Sequence, residues 1–265
     1  LALVGALGFG FGSYNIIIIE AGHITKAWCM AMMAPIFGGM LMVLKGAFDT
    51  DQDKRSKTQR LVWGSILFTF ALIMQISLNH IQITFYTAIG CVAIGVAYLI
   101  YSIIQHRMGA FAMRVGILVV CAALALACNV RHLLVNEEYS RYTMRGGNEL
   151  TITPASLYGE EAEGAQSTST GLDINYAFSW SYGVGETYTL LVPGAMGGGS
   201  GEKVDLKNSE FYKDFQANLP QYQYPWGDRS PLYWGGQPFT SGPVYFGAII
   251  IMLFVMGMIV TKGPE

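Results

Sequence analysis

What most constrains this chain is a succession of apolar runs at residues 1–20, 27–44, 61–78, 83–104, 112–134 and 243–261. Each is nearly as long as a bilayer is thick, and each is almost bare of charge. A helix needs about 20 residues to cross the hydrocarbon, and it can do so because it satisfies its own backbone hydrogen bonds. Only 13% of the residues are charged. A soluble domain carries about 25% to keep its surface wet, so the missing polar surface points to lipid. The expected fold class is an all-α polytopic membrane protein with about six transmembrane helices. A large extracytoplasmic, mostly irregular loop is expected between the fifth and sixth.

The expected division is residues 1–134 for spans one to five, 135–242 for the extracytoplasmic loop or cap, and 243–265 for span six. The first run is interrupted by Gly8, Gly10, Gly12, Ser13 and Asn15, and Gly5, Gly8 and Gly12 share one helical face. The bland reading of that face is close helix packing. Pro35 is expected to kink the second span. The chain opens on Leu1 inside an apolar run and stops just past another, so both ends are expected to be cuts through a longer protein. Cys29, Cys91, Cys121 and Cys128 lie in apolar runs without paired or metal-ligand spacing, as small hydrophobes do. A net charge of −2 argues against a nucleic-acid partner.

Orientation follows from lysine and arginine in short loops. Lys45, Lys54, Arg55, Lys57 and Arg60 fall between spans two and three, and Arg107 and Arg114 are assigned between spans four and five. Those loops are expected on the cytoplasmic side. The turn near Gly22 and the turn at residues 79–82 then lie outside, as does the long segment from residue 135 to 242. Within that segment, residues 159–171 read as a flexible polar linker. The following stretches, rich in Trp, Tyr, Gly and Pro, read as a cap.

The outer helix ends gather polar groups. Glu20 and His23 are three apart, neighbours on one face if the helix continues, with Lys26 one turn on. "LNHIQ" supplies Asn79, His80 and Gln82, and "CNVRH" supplies Asn129, Arg131 and His132. Three of the four histidines thus fall at one membrane depth, and His106 lies on the other side. Ionisable groups at that depth face cavities or one another, or else they are interfacial residues that merely end helices. Glu20 is a candidate general base, while Arg131, Lys26 and the histidines suit a phosphate. Glu20 with His23 and His80 would alternatively take a divalent metal. "GFGFG" lies inside a span, and Glu202 breaks the Gly-Lys step of "GGGSGEK", so neither is a nucleotide loop. The aromatics from Tyr222 to Trp234 fit either sugar stacking or an interfacial belt.

The segments "GSYNIIIIEAGHITKAW" (residues 12–28) and "NHIQITFY" (79–86) resemble those of the YfhO-like bacterial polytopic membrane proteins. "GETYTLLVPGAMGG" (185–198) resembles that family's outer-loop motif, and "YWGGQPFTSGPVYFGAIIIMLF" (233–254) its return into the membrane, in a Bacteroidetes-type form. The likeness covers nearly the whole chain in order. It implies a GT-C-type architecture in the bacterial inner membrane and transfer of a sugar from a polyprenyl-phosphate carrier to an acceptor at the outer face. It places the essential acid in a first outer loop expected to precede Leu1. Glu20 and Glu186 are then the candidate catalytic carboxylates, and His23, Lys26, His80, Arg131 and His132 the donor-phosphate ligands. Arg141 and Arg145 stand in reserve, and Asn79 and Gln82 are orienting groups. The implied partners are membrane lipid, the lipid-linked sugar and a larger membrane complex. Two other readings stand beside it: a transporter or flippase, using the broken first span and a midplane Gln75, and a non-catalytic assembly subunit.

Overall fold

The computed structural model describes residues 2–48, 54–143, 174, 178–220, 229–237 and 244–261. The chain is mostly helical, and among the described residues five helical stretches are long and apolar enough to cross a membrane. They are Leu3–Glu20, Ile24–Lys45, Ser56–Ser77, Ile81–Ile104 and Met108–Cys128. The protein is therefore a multi-pass membrane protein. Its contacts divide it into two compact units, one of residues 1–22 with 174–260, the other of residues 23–173 with 261–265.

The second unit is built from α3 (Ile24–Lys45), α4 (Lys54–Ser77), α5 (Ile81–Ile104), α6 (Met108–Cys128) and α7 (Val130–Ser140). Its most extensive pairing is α3 with α4. There the backbones touch. A Cβ on Gly39 would lie 2.6 Å from the Phe68 nitrogen and 2.8 Å from the Gly64 oxygen, and one on Gly64 would lie 2.9 Å from the Gly39 oxygen. Small residues allow this approach, which in lipid replaces the hydrophobic drive with packing. Gly90 of α5 gives similar room to the Phe37 ring of α3. α3 runs through Pro35 as one helix.

Polarity in this unit runs inside out. On α5, Thr87 and Ser102 are buried while Phe85, Ile89, Val92, Val96 and Ile100 are exposed. A surface of that kind suits hydrocarbon and not water. The buried polar groups are hydrogen-bonded across helices. Gln75 of α4 donates through Nε2 to the Cys29 carbonyl of α3 at 2.9 Å and to the Thr87 hydroxyl of α5 at 3.0 Å. Gln75 lies two residues from the end of α4, not at the midplane. Arg114 is likewise no loop residue. α6 begins at Met108, so Arg114 lies nearly two turns inside it, buried, and donates to the Val43 carbonyl at 2.6 Å. That carbonyl is in the last turn of α3, the negative end of the helix. Exposed Trp28 and Trp63 stand toward opposite ends of the α3–α4 pair, as interfacial tryptophans do.

The first unit contains α1 (Ala2–Gly10), α2 (Ser13–Glu20), a 3₁₀ turn at Gly185–Leu190, α8 (Glu210–Asn218) and α9 (Ala248–Val260). Strands β1 (Lys203–Asp205) and β2 (Arg229–Pro231) pair antiparallel, Val204 opposite Ser230. The first apolar run is broken at Phe11 and Gly12, and Asn15 donates to the freed Phe9 carbonyl at 2.7 Å. Gly8 lies against Ile250 of α9, whereas Gly5 faces open space. Ser13 Oγ donates to the Tyr245 carbonyl at 3.1 Å and accepts from the Tyr245 N–H at 2.8 Å. Ser209 caps α8 by accepting from the Tyr212 N–H at 3.1 Å.

Against the expected six spans, α9 has 13 residues, shorter than a crossing requires. Residue 243, where the sixth span was expected to start, lies outside the described residues, as do the linker at 159–171 and Arg145. The fifth span ends at Cys128, and the chain turns at Asn129 into the separate helix α7. The described part of the expected irregular loop holds helical turns and a short antiparallel pair of strands.

The α3–α4 contact generates a test. Gly64→Ala should destabilise the protein by about 1–3 kcal/mol, because the new methyl meets backbone that cannot yield. Gly38 has nothing within 4 Å of its Cβ position. Gly38→Ala should therefore be neutral or slightly stabilising. Thermal unfolding of both variants in detergent checks the contrast.

Candidate functional site

The candidate site is the end of the second unit where α3 and α5 begin and α4 finishes. His23 is the N-cap residue of α3 and His80 that of α5, and neither side chain caps its own helix. Two helix N-termini at one end bring two sets of outward N–H groups, each with partial positive charge. Lys26 stands in the first turn of α3. Burial lowers the His80 pKa from its ordinary 6.5, a hydrogen bond to backbone opposes that, and the positive charges of Lys26 and His23 lower it further. His80 is therefore mainly a neutral imidazole near pH 7, set beside cations. The three groups form one electrostatic cluster.

Beneath them lies the Gln75 node. The Cys29 thiol lies against the His80 backbone and also donates to the Gln75 carbonyl at 3.6 Å. The Gln75 Oε1 is buried with no hydrogen-bond partner among the described residues, an arrangement that invites a polar guest or water. Asn79 adopts φ 58°, a left-handed turn that Asn tolerates, and pairs through its amide with Asn136 of α7. Gln82 donates to the Tyr86 hydroxyl at 2.8 Å along its own helix. Asn129 is buried at the join of α6 and α7, donating to the Ala125 carbonyl at 3.0 Å and the Ile73 carbonyl at 3.2 Å. Arg131 and His132 are exposed in the first turn of α7. Arg141, held in reserve by the resemblance, pairs with Glu137 at 3.3 Å on the surface.

The structure thus brings His23, Lys26 and His80 together and holds α7 to the same end through Asn79. Gln75, Thr87 and Asn136 complete this end and were not among the sequence candidates for it. Gln75 carried a signal, an amide in an apolar run. Asn136, on a polar helix, carried none.

The two carboxylates differ. Glu20 ends α2, exposed. The helix does not continue to His23, because Gly22 takes φ +80° and α3 starts only at Ile24. The i, i+3 face expected for Glu20 and His23 is therefore absent. Glu186 is buried at 3% exposure within the first unit. Its Oε1 accepts from the Tyr233 hydroxyl and its Oε2 from the Gly183 N–H at 3.2 Å. Tyr233 Oη in turn accepts from the Gln237 N–H at 3.1 Å. Burial pushes the Tyr182 hydroxyl up to about 12, helped by Glu186, Tyr14 and Tyr233. With both oxygens occupied and little surface, Glu186 is a clasp between the 3₁₀ turn and the segment after β2. A base in direct contact with substrate would need a free oxygen lobe. The residues between 221 and 228, part of the expected aromatic platform, lie outside the described residues, while Trp234 is exposed. Among the described residues no group of three or more His, Cys, Asp or Glu is placed to hold a metal ion.

The His80 environment fixes a pH dependence. A histidine whose folded pKa is lowered binds fewer protons than the unfolded chain, so stability is full above the ordinary 6.5 and falls as pH drops below it. Melting temperature should decline between pH 7 and pH 5.5, and His80→Gln should flatten that decline. At the other polar cluster, Tyr233→Phe should cost about 2 kcal/mol, the loss of a hydrogen bond to a buried carboxylate. Thermal unfolding at pH 7.5 measures it.

No family model, curated protein or solved structure matches this chain.

Proposed function

We propose that the protein is an integral-membrane glycosyltransferase of GT-C type, related to the YfhO-like proteins. It moves a sugar from a polyprenyl-phosphate carrier to an acceptor hydroxyl at the outer face of a bacterial cytoplasmic membrane. The observation that carries the reading is the cluster of His23, Lys26 and His80 at the joint N-termini of two membrane-spanning helices. A phosphate monoester or diester at a membrane surface is the ligand for such a cluster, since N-terminal N–H groups and cations both stabilise oxyanions. The apolar flanks of α3 and α5 let the polyprenyl chain stay in hydrocarbon while its phosphate remains at the surface. Orientation rests on the basic loops, with Lys45, Lys57 and Arg60 at the cytoplasmic end.

In this mechanism the acceptor oxygen attacks the anomeric carbon. Its proton passes to a carboxylate, the new carbon–oxygen bond forms, and the bond between the anomeric carbon and the phosphate oxygen breaks. The electron pair leaves on the lipid phosphate, where Lys26 and the α3 and α5 N-termini stabilise it. His80, neutral before substrate arrives, donates a hydrogen bond from its imidazole N–H to the leaving phosphate, and keeps its proton. Of the two carboxylates, Glu20 is the candidate base because it is exposed, and Glu186 serves as a clasp within the first unit. Asn79 holds the turn that presents His80. Arg131 and His132, on α7, bind the donor more peripherally.

Sugar transfer in nanodiscs, with labelled polyprenyl-phosphate sugars, tests the proposal. Wild-type protein should transfer, and Lys26→Ala and His80→Ala should each lose about 10²-fold in kcat while remaining folded. Full activity in both variants would remove the cluster from the reaction. Counterflow of donor without acceptor, and no transfer, would identify a transporter instead.

A further inference from the structure

The opposite end of the second unit holds a different site. One turn beyond Gly39 on α3 and one turn before Gly64 on α4, larger side chains replace the glycines. Here lies a shallow, open cavity of about 420 Å³, lined by Leu41, Met42, Lys45 and Arg60. Its walls are mostly apolar, and its two cations come from different helices. Lys45 is the last residue of α3, and Arg60 lies just before the apolar stretch that opens at Leu61. Exposed Trp63 stands one turn deeper on α4, the level at which tryptophan sits below lipid headgroups.

We infer that this cavity binds the headgroup of an anionic phospholipid, its phosphate between Lys45 and Arg60 and its glycerol and upper acyl carbons against Leu41 and Met42. Charge complementarity favours an anion, and the apolar walls favour one that carries hydrocarbon. Basic pockets between transmembrane helices recognise lipid headgroups in this way. Lys45 and Arg60 also have interactions within the protein, with which a lipid phosphate would share them. Lys45 at the helix end also faces the negative terminus of α3. A helix-end role accounts for one cation, and not for an apolar cavity shared with a second. The site stands apart from the histidine cluster and does not depend on the enzymatic reading.

The test is lipid retention by the full chain, measured by native mass spectrometry after exchange between phosphatidylglycerol and phosphatidylcholine of equal chain length. Wild type should prefer phosphatidylglycerol by about tenfold to thirtyfold, the effect of two cations near an anionic headgroup. The double variant Lys45→Gln, Arg60→Gln should lose that preference, and Lys45→Arg, Arg60→Lys should keep it. The second variant retains both charges, so it stays informative if the first folds poorly. Equal retention of the two lipids by wild type overturns the site whatever the variants do. Competition by inorganic phosphate at millimolar concentration that abolishes the preference would assign the cavity to free phosphate and also overturn it.

Discussion

The second unit depends on the backbone contact between Gly39 and Gly64. In hydrocarbon there is no gain from hiding apolar side chains, since lipid tails solvate them as well as leucine does. What remains is van der Waals contact and the hydrogen bonds that helices can offer one another. Two glycines facing each other let α3 and α4 approach until main-chain atoms touch, and the long pairing around them follows. The Gln75 bonds to Cys29 and Thr87 at one end require that approach. One contact thus organises the pair.

Much of this was legible in the sequence, because a bilayer imposes length and charge rules that a single chain displays directly. Spans two to four were read to within a few residues, apart from the charged start of α4. Their ends are set by Lys45, His80 and Gln105, where polarity changes sharply. Span five was read too long, for Val130, Leu133 and Leu134 continue its apolar character after Asn129 has turned the chain. Composition in a window records apolarity and is blind to a single buried asparagine that ends one helix and starts another. Arg114 shows the converse. A lone arginine reads as a loop residue until a carbonyl at the end of another helix is found to receive it.

The polar groups were legible as types and only partly as arrangements. His23, Lys26 and His80 were found because three helix ends of known direction must lie together. Glu20 was joined to His23 by counting residues along a helix that Gly22 interrupts, so the spacing was real and the geometry was not. Glu186 was marked by its motif, yet its role as a clasp depends on Tyr233, 47 residues away in sequence. Nothing local in "GETYTL" announces that partner. Pairings of this kind are written in the fold and not in any window of the chain.

The burial of Arg114 bears on how the protein is made. An arginine at the centre of an apolar helix resists entry into the bilayer by about 2.5–3.5 kcal/mol, and one nearer an end, such as Arg114, by less. The carbonyl that receives this one belongs to α3, which leaves the ribosome some seventy residues earlier. By the time α6 emerges, the end of α3 is already in place to accept the guanidinium. The order of helices along the chain therefore supplies an acceptor before the charge that needs it, and reversing that order would strand the arginine among lipid tails.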